Sequence, residues 1–223
     1  MSIKYIKSKT INWITTISVI IIVVAYYAVK KYNYVYHEVY YIEMNNDAFE
    51  GKNHELQLKL AQKWVDINHI DKHMPYSILG SAVHGNQVST VNMLLQNGAN
   101  PKSGIEFSDA IEMEHTDIVK LFIQHGSKLN DHNILAASNI HNTELINYLL
   151  TTTDIKPIDF INLSANSGNK ILLQCSLVAL KKDKINNDKQ KMTKYINNAI
   201  VIARMTKHNN IESILDDWEK KNF

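Results

Sequence analysis

Most of the motifs by which sequences announce their chemistry are missing from this chain of 223 residues. It has a single cysteine, Cys175, which excludes an intramolecular disulfide framework and any cysteine-rich metal site. Cys175 lies within the apolar run ILLQCSLVAL and reads as a small core residue rather than a nucleophile. No glycine-rich phosphate loop, no Gly-x-Ser-x-Gly elbow and no HExxH pair occurs, so three large enzyme classes lose their usual signatures. Charge of one sign is scarce as well. The formal net charge is +2, far from the concentrated basic face that phosphate neutralisation needs, and no nucleic-acid partner is expected.

What is present begins with an uncharged stretch of nineteen residues, INWITTISVIIIVVAYYAV at 11–29. At about 1.5 Å per residue it matches the thickness of a hydrocarbon core, which predicts a transmembrane helix contacting the lipid bilayer. The run is longer than the apolar core of a signal peptide, and no small-x-small site precedes Lys30, so an uncleaved anchor is expected. Trp13, Tyr26 and Tyr27 would mark its interfaces. Lys4, Lys7, Lys9 and the terminal amine precede the run, against Lys30 and Lys31 after it. That bias predicts a single-pass protein with a cytoplasmic N-terminus and the rest outside the cytoplasm, periplasmic in a bacterium. The expected organisation is a basic tail at 1–10, the span at 11–29, a Tyr-rich juxtamembrane segment at 30–46 and a repeat domain at 47–221. Seven tyrosines between 26 and 41 serve either interfacial anchoring or a docking strip.

Beyond the span, four segments repeat one pattern: a small-residue pair, a polar corner and an apolar run of helical spacing. The pairs Ser81-Ala82, Ala110-Ile111, Ala137-Ser138 and Ser164-Ala165 are separated by 29, 27 and 27 residues. Such a period signals a solenoid in which each unit covers the apolar face of the next. The corners Gly85-Asn86, Glu114-His115, His141-Asn142 and Gly168-Asn169 supply left-handed residues or capping side chains. Stripes such as Ile118, Val119 and Phe122, or Leu145, Ile146 and Leu149, face a core. Leu56, Leu60, Trp64 and Ile67 predict a capping helix over 54–67, and Tyr195 to Met205 with Asn210 to Trp218 predict a closing helix pair. Between the repeats and that pair, KKDKINNDKQK at 181–191 reads as a solvated insertion.

These segments resemble the ankyrin repeat family. HTDIVKLFIQHGSKLN at 115–130 is similar to its second helix and loop, and Leu94-Leu95-Gln96-Asn97-Gly98-Ala99-Asn100 is closer still. The Thr-Pro-Leu-His signature is absent, its positions reading Tyr76-Ser77-Ile78-Leu79, and the short intervals mean trimmed fingers. The fold class expected is all-α: an ankyrin-like solenoid of about five stacked helix pairs behind one transmembrane helix.

The resemblance implies protein binding along a concave stack surface. Carried over by position, it assigns partner contacts to Val83, His84, Glu112, Met113, Asn139, Ile140, Asn166 and Ser167, with Lys102, Ser103, Asp131, His132 and Lys156 along the rim. The resulting expectation is an interaction module rather than an enzyme, holding or neutralising a protein partner as an immunity or regulatory protein of the cell envelope. An effector or viral protein aimed at host proteins is the alternative. A metal enzyme is the remaining class. His69 and His73, with Asp71 between, have the i, i+4 spacing of metal ligands but sit in an irregular loop of the resemblance. The carboxylates and imidazole of 112–117 coincide with a corner, where acidic groups favour the next helix N-terminus. No catalytic residue, metal or cofactor is therefore assigned.

Overall fold

The computed structural model describes residues 2–70, 75–102, 105–129, 133–182 and 189–222, and every regular element among them is helical. Asp71, His73, Ser103, Asp131 and His132 lie outside the described residues, and so does the side chain of Trp13.

A long helix, α1 (Ser2–Glu50), leads into α2 (Asn53–Leu60), α3 (Ile78–His84), α4 (Val88–Gln96), α5 (Ile105–Glu112) and α6 (Thr116–Gln124). A single 3-10 helix (Ile134–Asn139) then precedes α7 (Thr143–Thr152), α8 (Pro157–Ser167), α9 (Lys170–Lys182), α10 (Lys189–Met205) and α11 (Asn209–Asn222). Local chemistry starts and stops these helices. Ser77 caps α3 by accepting the Gly80 N–H at 3.0 Å, and Asn142 caps α7 by accepting from Glu144 and Leu145. Pro157 opens α8, where its missing N–H costs nothing, and Gly168 ends it in the left-handed conformation.

The elements form two layers. The end of α1, then α3, α5, the 3-10 helix, α8 and α10 pack in succession as first helices. The second helices α2, α4 and α6 stack behind them, followed by α7, α9 and α11. Across the junction of α6 and α7, Lys120 bonds Glu144 at 2.8 Å and Asn142 Nδ2 donates to Thr116 Oγ1 at 3.1 Å. Among the described residues there are thus six helix pairs, where about five were expected. The additional pair comes from α1, whose C-terminal portion buries Tyr41, Met44 and Ala48 as a first helix of the stack.

Two apolar clusters hold the layers. The larger runs from Tyr41 to Leu172 and centres on Phe107, Ile111, Phe122 and Ile146, with the two phenylalanine rings 5.6 Å apart. The second joins the last two pairs through Ile161, Leu173, Ile196, Ala203, Ile211 and Leu215. Each fully buried Ile, Leu or Phe side chain among them contributes about 1.5–3 kcal/mol of transfer free energy. Polar groups between the pairs are satisfied across them. Ser81 donates to Asn45 Oδ1 at 2.6 Å, Ser77 to Glu106 Oε1 at 2.7 Å and Asn169 Nδ2 to the Ile140 carbonyl at 2.7 Å.

The predicted transmembrane span and bilayer contact at 11–29 do not stand. Among the described residues no helix is long and apolar enough to cross a membrane. The uncharged run at 11–29 is followed within the same helix by Lys30 and Lys31. The helix then continues unbroken into the stack. A single-pass membrane protein, with its cytoplasmic N-terminus and external repeat domain, is corrected accordingly.

The capping helix expected over 54–67 is also shorter, ending at Leu60. Past that point the backbone is engaged elsewhere: the Asp66 N–H donates to Tyr41 Oη at 2.8 Å, and the Asn68 N–H to Asp66 Oδ1 at 2.9 Å. These bonds compete with helix continuation. The closing pair is present and longer than expected, with Ala203, Ile211 and Leu215 fully buried.

Candidate partner-binding row

The corners fix the register of the repeat. Gly51, Asn86, Glu114, Gly168 and Lys207 adopt left-handed conformations, with φ of 75°, 52°, 57°, 77° and 64°. At four of them the same hydrogen-bond pair closes the first helix. Lys52, Gln87, His115 and His208 donate to Asp47, Ala82, Ala110 and Ala203, while Gly51, Asn86, Glu114 and Lys207 donate to Ala48, Val83, Ile111 and Arg204. This is the 6→1 and 5→2 pattern that satisfies terminal carbonyls of a helix. In the fourth pair Asn142 supplies a side-chain cap in place of a left-handed residue.

With these corners aligned, Ala82 rather than Ser81 is the counterpart of Ala110. Gly98 and Gly126 then each follow their corner by twelve residues. The shift explains a misplaced candidate. Val83 is equivalent to Ile111, and both are fully buried.

Two positions before each corner, a row of side chains emerges: Phe49, His84, Glu112, Asn139, Asn166 and Met205. Glu112, Asn139 and Asn166 are exposed, Phe49 is 52% exposed and Met205 78%. The row is therefore polar in the middle and apolar at its ends. One position later, Met113 is exposed and Ser167 half-buried, but Ile140 is buried and was misassigned as a contact. The 3-10 helix turns by about 120° per residue against 100° in an α-helix, which carries Ile140 inward. Lys102 and Lys156 are exposed on the loops. Phe49 and Met205 escaped the sequence reading because the first and last pairs were taken as caps; Gly51 before an apolar-spaced run was the available signal for Phe49.

His84 is the one half-buried member of the row, held from three sides. Its Nδ1–H donates to the Gly80 carbonyl at 2.9 Å, its Nε2 lies 3.7 Å from Asp109 Oδ2, and its ring centroid is 3.8 Å from that of Tyr76. Burial pushes the Asp109 carboxyl above its ordinary range, against the pull of His84 and with help from Glu106 and Glu112. Burial likewise pushes His115 below the usual imidazole value, with the Val83 backbone opposing and His84 adding to it. Neither Asp109 Oδ2 nor His115 Nδ1 has a hydrogen-bond partner among the described residues. His141 sits outside this group, its backbone N–H donating to Glu114 Oε1 at 2.6 Å. Among the described residues no group of three or more His, Cys, Asp or Glu side chains could hold a metal ion. Cys175 is half-buried, its thiol pushed up by burial and so poor in thiolate. Tyr26 and Tyr27 are exposed on α1 and stack edge to face at 5.6 Å.

No protein-family model matches the chain, and no curated protein sequence does. Solved structures do. The crystal structure of the human ASB11 ankyrin repeat domain superposes with a TM-score of 0.56 at 17% identity, covering 78% of this chain and 82% of that one. At that identity the likeness concerns the fold, and with the two helical layers and recurrent corners it identifies an ankyrin-repeat-like stack.

Proposed function

We propose that this chain is a protein-binding scaffold that receives its partner along the row Phe49, His84, Glu112, Asn139, Asn166 and Met205. The observation that carries the reading is the recurrence itself: successive pairs present a side chain at one equivalent position, while the residues two positions earlier, Asp47, Ala82, Ala110, Ala137, Ser164 and Ala203, are all buried. At an interhelical spacing of about 8–10 Å, five steps span roughly 45 Å. That length suits a partner patch of ordinary size, about 800 Å² on each side. A polar centre flanked by Phe49 and Met205 offers two apolar anchors and amide groups able to accept and donate between them. Ankyrin-repeat-like folds typically serve as non-enzymatic interaction scaffolds, and the half-buried, thiolate-poor Cys175 suits that role.

The test compares capture by immobilised full-length chains. A triple variant, Glu112→Ala/Asn139→Ala/Asn166→Ala, is expected to recover at least tenfold less of the captured partner, equivalent to about 1.4 kcal/mol or more. A control triple on the exposed second-helix face, Gln96→Ala/Gln124→Ala/Gln174→Ala, should recover the wild-type amount. The opposite ranking, with both variants folded by circular dichroism, would remove the row as the binding surface.

A further inference from the structure

The fold leaves one long apolar surface uncovered. Between residues 17 and 33 every side chain of α1 is exposed, and the rest of the chain closes on this helix farther along, at the ring contacts of Tyr36 and His37 with Trp64. Residues 17–29 carry no charge, and their large side chains point in all directions. At about 100° per residue, Ile17, Ile21 and Val24 share one side of the helix and Val19, Ile22 and Val23 the opposite side. All six are between 45% and 67% exposed. A helix that is apolar around its whole circumference belongs in an interior. Among the described residues nothing buries it.

The size of this surface bears on what covers it. As a cylinder about 20 Å long and about 11 Å across, residues 17–29 present a lateral area of roughly 700 Å². That exceeds the largest apolar patch of a typical monomer, about 300–600 Å², and approaches the roughly 800 Å² that each partner of a stable complex contributes. One neighbour would cover only a stripe of the cylinder, so several helices are needed. The spacing suits helices as neighbours. Ile17, Ile20, Val24 and Tyr27 follow one another at three- and four-residue steps, as along a seam where helices interlock their side chains, and isoleucine at consecutive seam positions favours bundles of more than two strands. Lys31 takes the next step and ends the apolar seam, its long stem carrying the ammonium out to water.

We infer that residues 17–29 of α1 are an oligomerisation segment, packed against the same segment of further copies of this chain in a closed helical bundle. The occupant follows from the surface. A partner must bring a comparably long, uncharged apolar face, and among the described residues α1 itself is such a face. Like copies meet there without like-charge repulsion, and equivalent surfaces related by rotation close on themselves, so assembly stops once the seams are filled. Tyr41, the first buried residue where α1 joins the stack, lies about 18 Å of helix beyond Val29, which holds the stacks clear of the bundle. The segment neither uses nor covers the row from Phe49 to Met205, and the inference does not rest on that row.

Sedimentation equilibrium of the full chain in detergent-free buffer, over a range of micromolar concentrations, tests the assignment. A discrete multiple of the monomer mass is expected. Ile20→Lys/Val24→Lys, which would force two ammonium groups into the seam, should weaken association at least tenfold and shift the mass toward the monomer, while circular dichroism shows the stack still folded. Leu58→Lys/Val178→Lys adds the same charge at exposed apolar positions on α2 and α9 and should keep the wild-type mass. A wild-type chain that is monomeric throughout overturns the inference, and its capture by phosphatidylcholine vesicles would then assign the surface to lipid. A mass that rises without a plateau overturns it too, as does one that Ile20→Lys/Val24→Lys leaves unchanged or that both lysine pairs lower equally.

Discussion

At the scale of single residues, the informative groups are Asp109 and His115, because burial acts on them in opposite directions along the pH axis. The folded pKa of Asp109 is raised above its unfolded value, so the native state binds the extra proton, and its contribution, fully present at acid pH, is lost as pH rises through the folded pKa. Asp109→Asn, which has no charge to bury, should therefore melt at a higher temperature than wild type at pH 7, the gap closing toward pH 3. An unchanged gap at both pH values would show that desolvation does not govern this carboxyl. For His115 the folded pKa is depressed, so the unfolded state binds the proton more readily, and stability is lost as pH falls below the ordinary imidazole value of about 6.5. His115→Gln should flatten the stability profile between pH 7 and 5. The sequence placed His115 at a corner, in the run from Glu112 to Asp117, and did not single out Asp109. It could not indicate their burial, which arises from the packing of α3 beside α5 across 28 residues of chain between corners.

At the scale of elements, the join between α1 and the rest of the stack is the most exacting contact. A Cβ on Gly85 would overlap the Phe49 carbonyl at the end of α1, and backbone cannot move aside as a flexible side chain can. Gly85→Ala is expected to cost about 1–3 kcal/mol and to lose amide-exchange protection at the end of α1 and in α2. Gly98→Ala meets open space and only backbone strain at φ 94°, costing about 1–2 kcal/mol without that local loss. Matching exchange patterns for the two variants would contradict a tight seat for α1. The helices α4, α6, α7 and α9 to α11 were legible because their apolar residues recur every three to four positions and their caps are local. The role of α1 was not. An uncharged run at 11–29 carries the same pattern whether it spans a membrane or continues as the projecting part of a 49-residue helix, and the first-helix function resides farther on, in Tyr41, Met44, Asn45 and Ala48. The 3-10 helix was equally hidden, since Ala137 and Ser138 satisfy the small-pair pattern under either helical geometry.

At the scale of the whole molecule, six helix pairs sharing two apolar clusters should respond to damage by neighbourhood, as stacks of nearest-neighbour units do. Phe122→Ala, at the centre of the larger cluster, is expected to cost about 3–5 kcal/mol and to lower protection in both α4 and α6. Ile211→Ala should cost about 2–5 kcal/mol and fray chiefly α10 and α11, which the smaller cluster holds. Uniform loss of protection across all helices in the second variant would argue for a single indivisible core. The repeat period was plain in the sequence, yet the row it creates required the left-handed corners, because a one-residue error in register exchanges a core position such as Val83 for an exposed one. The most direct measurement of the central claim is therefore a site-by-site photo-crosslinking scan with a captured partner. A photoreactive residue would be placed in turn at 112, 139, 166 and 205 on the row, and at 96, 124, 147 and 174 on the exposed second-helix face. Crosslinks confined to the first set would place the partner on the row; crosslinks confined to the second set, or equal in both, would contradict it.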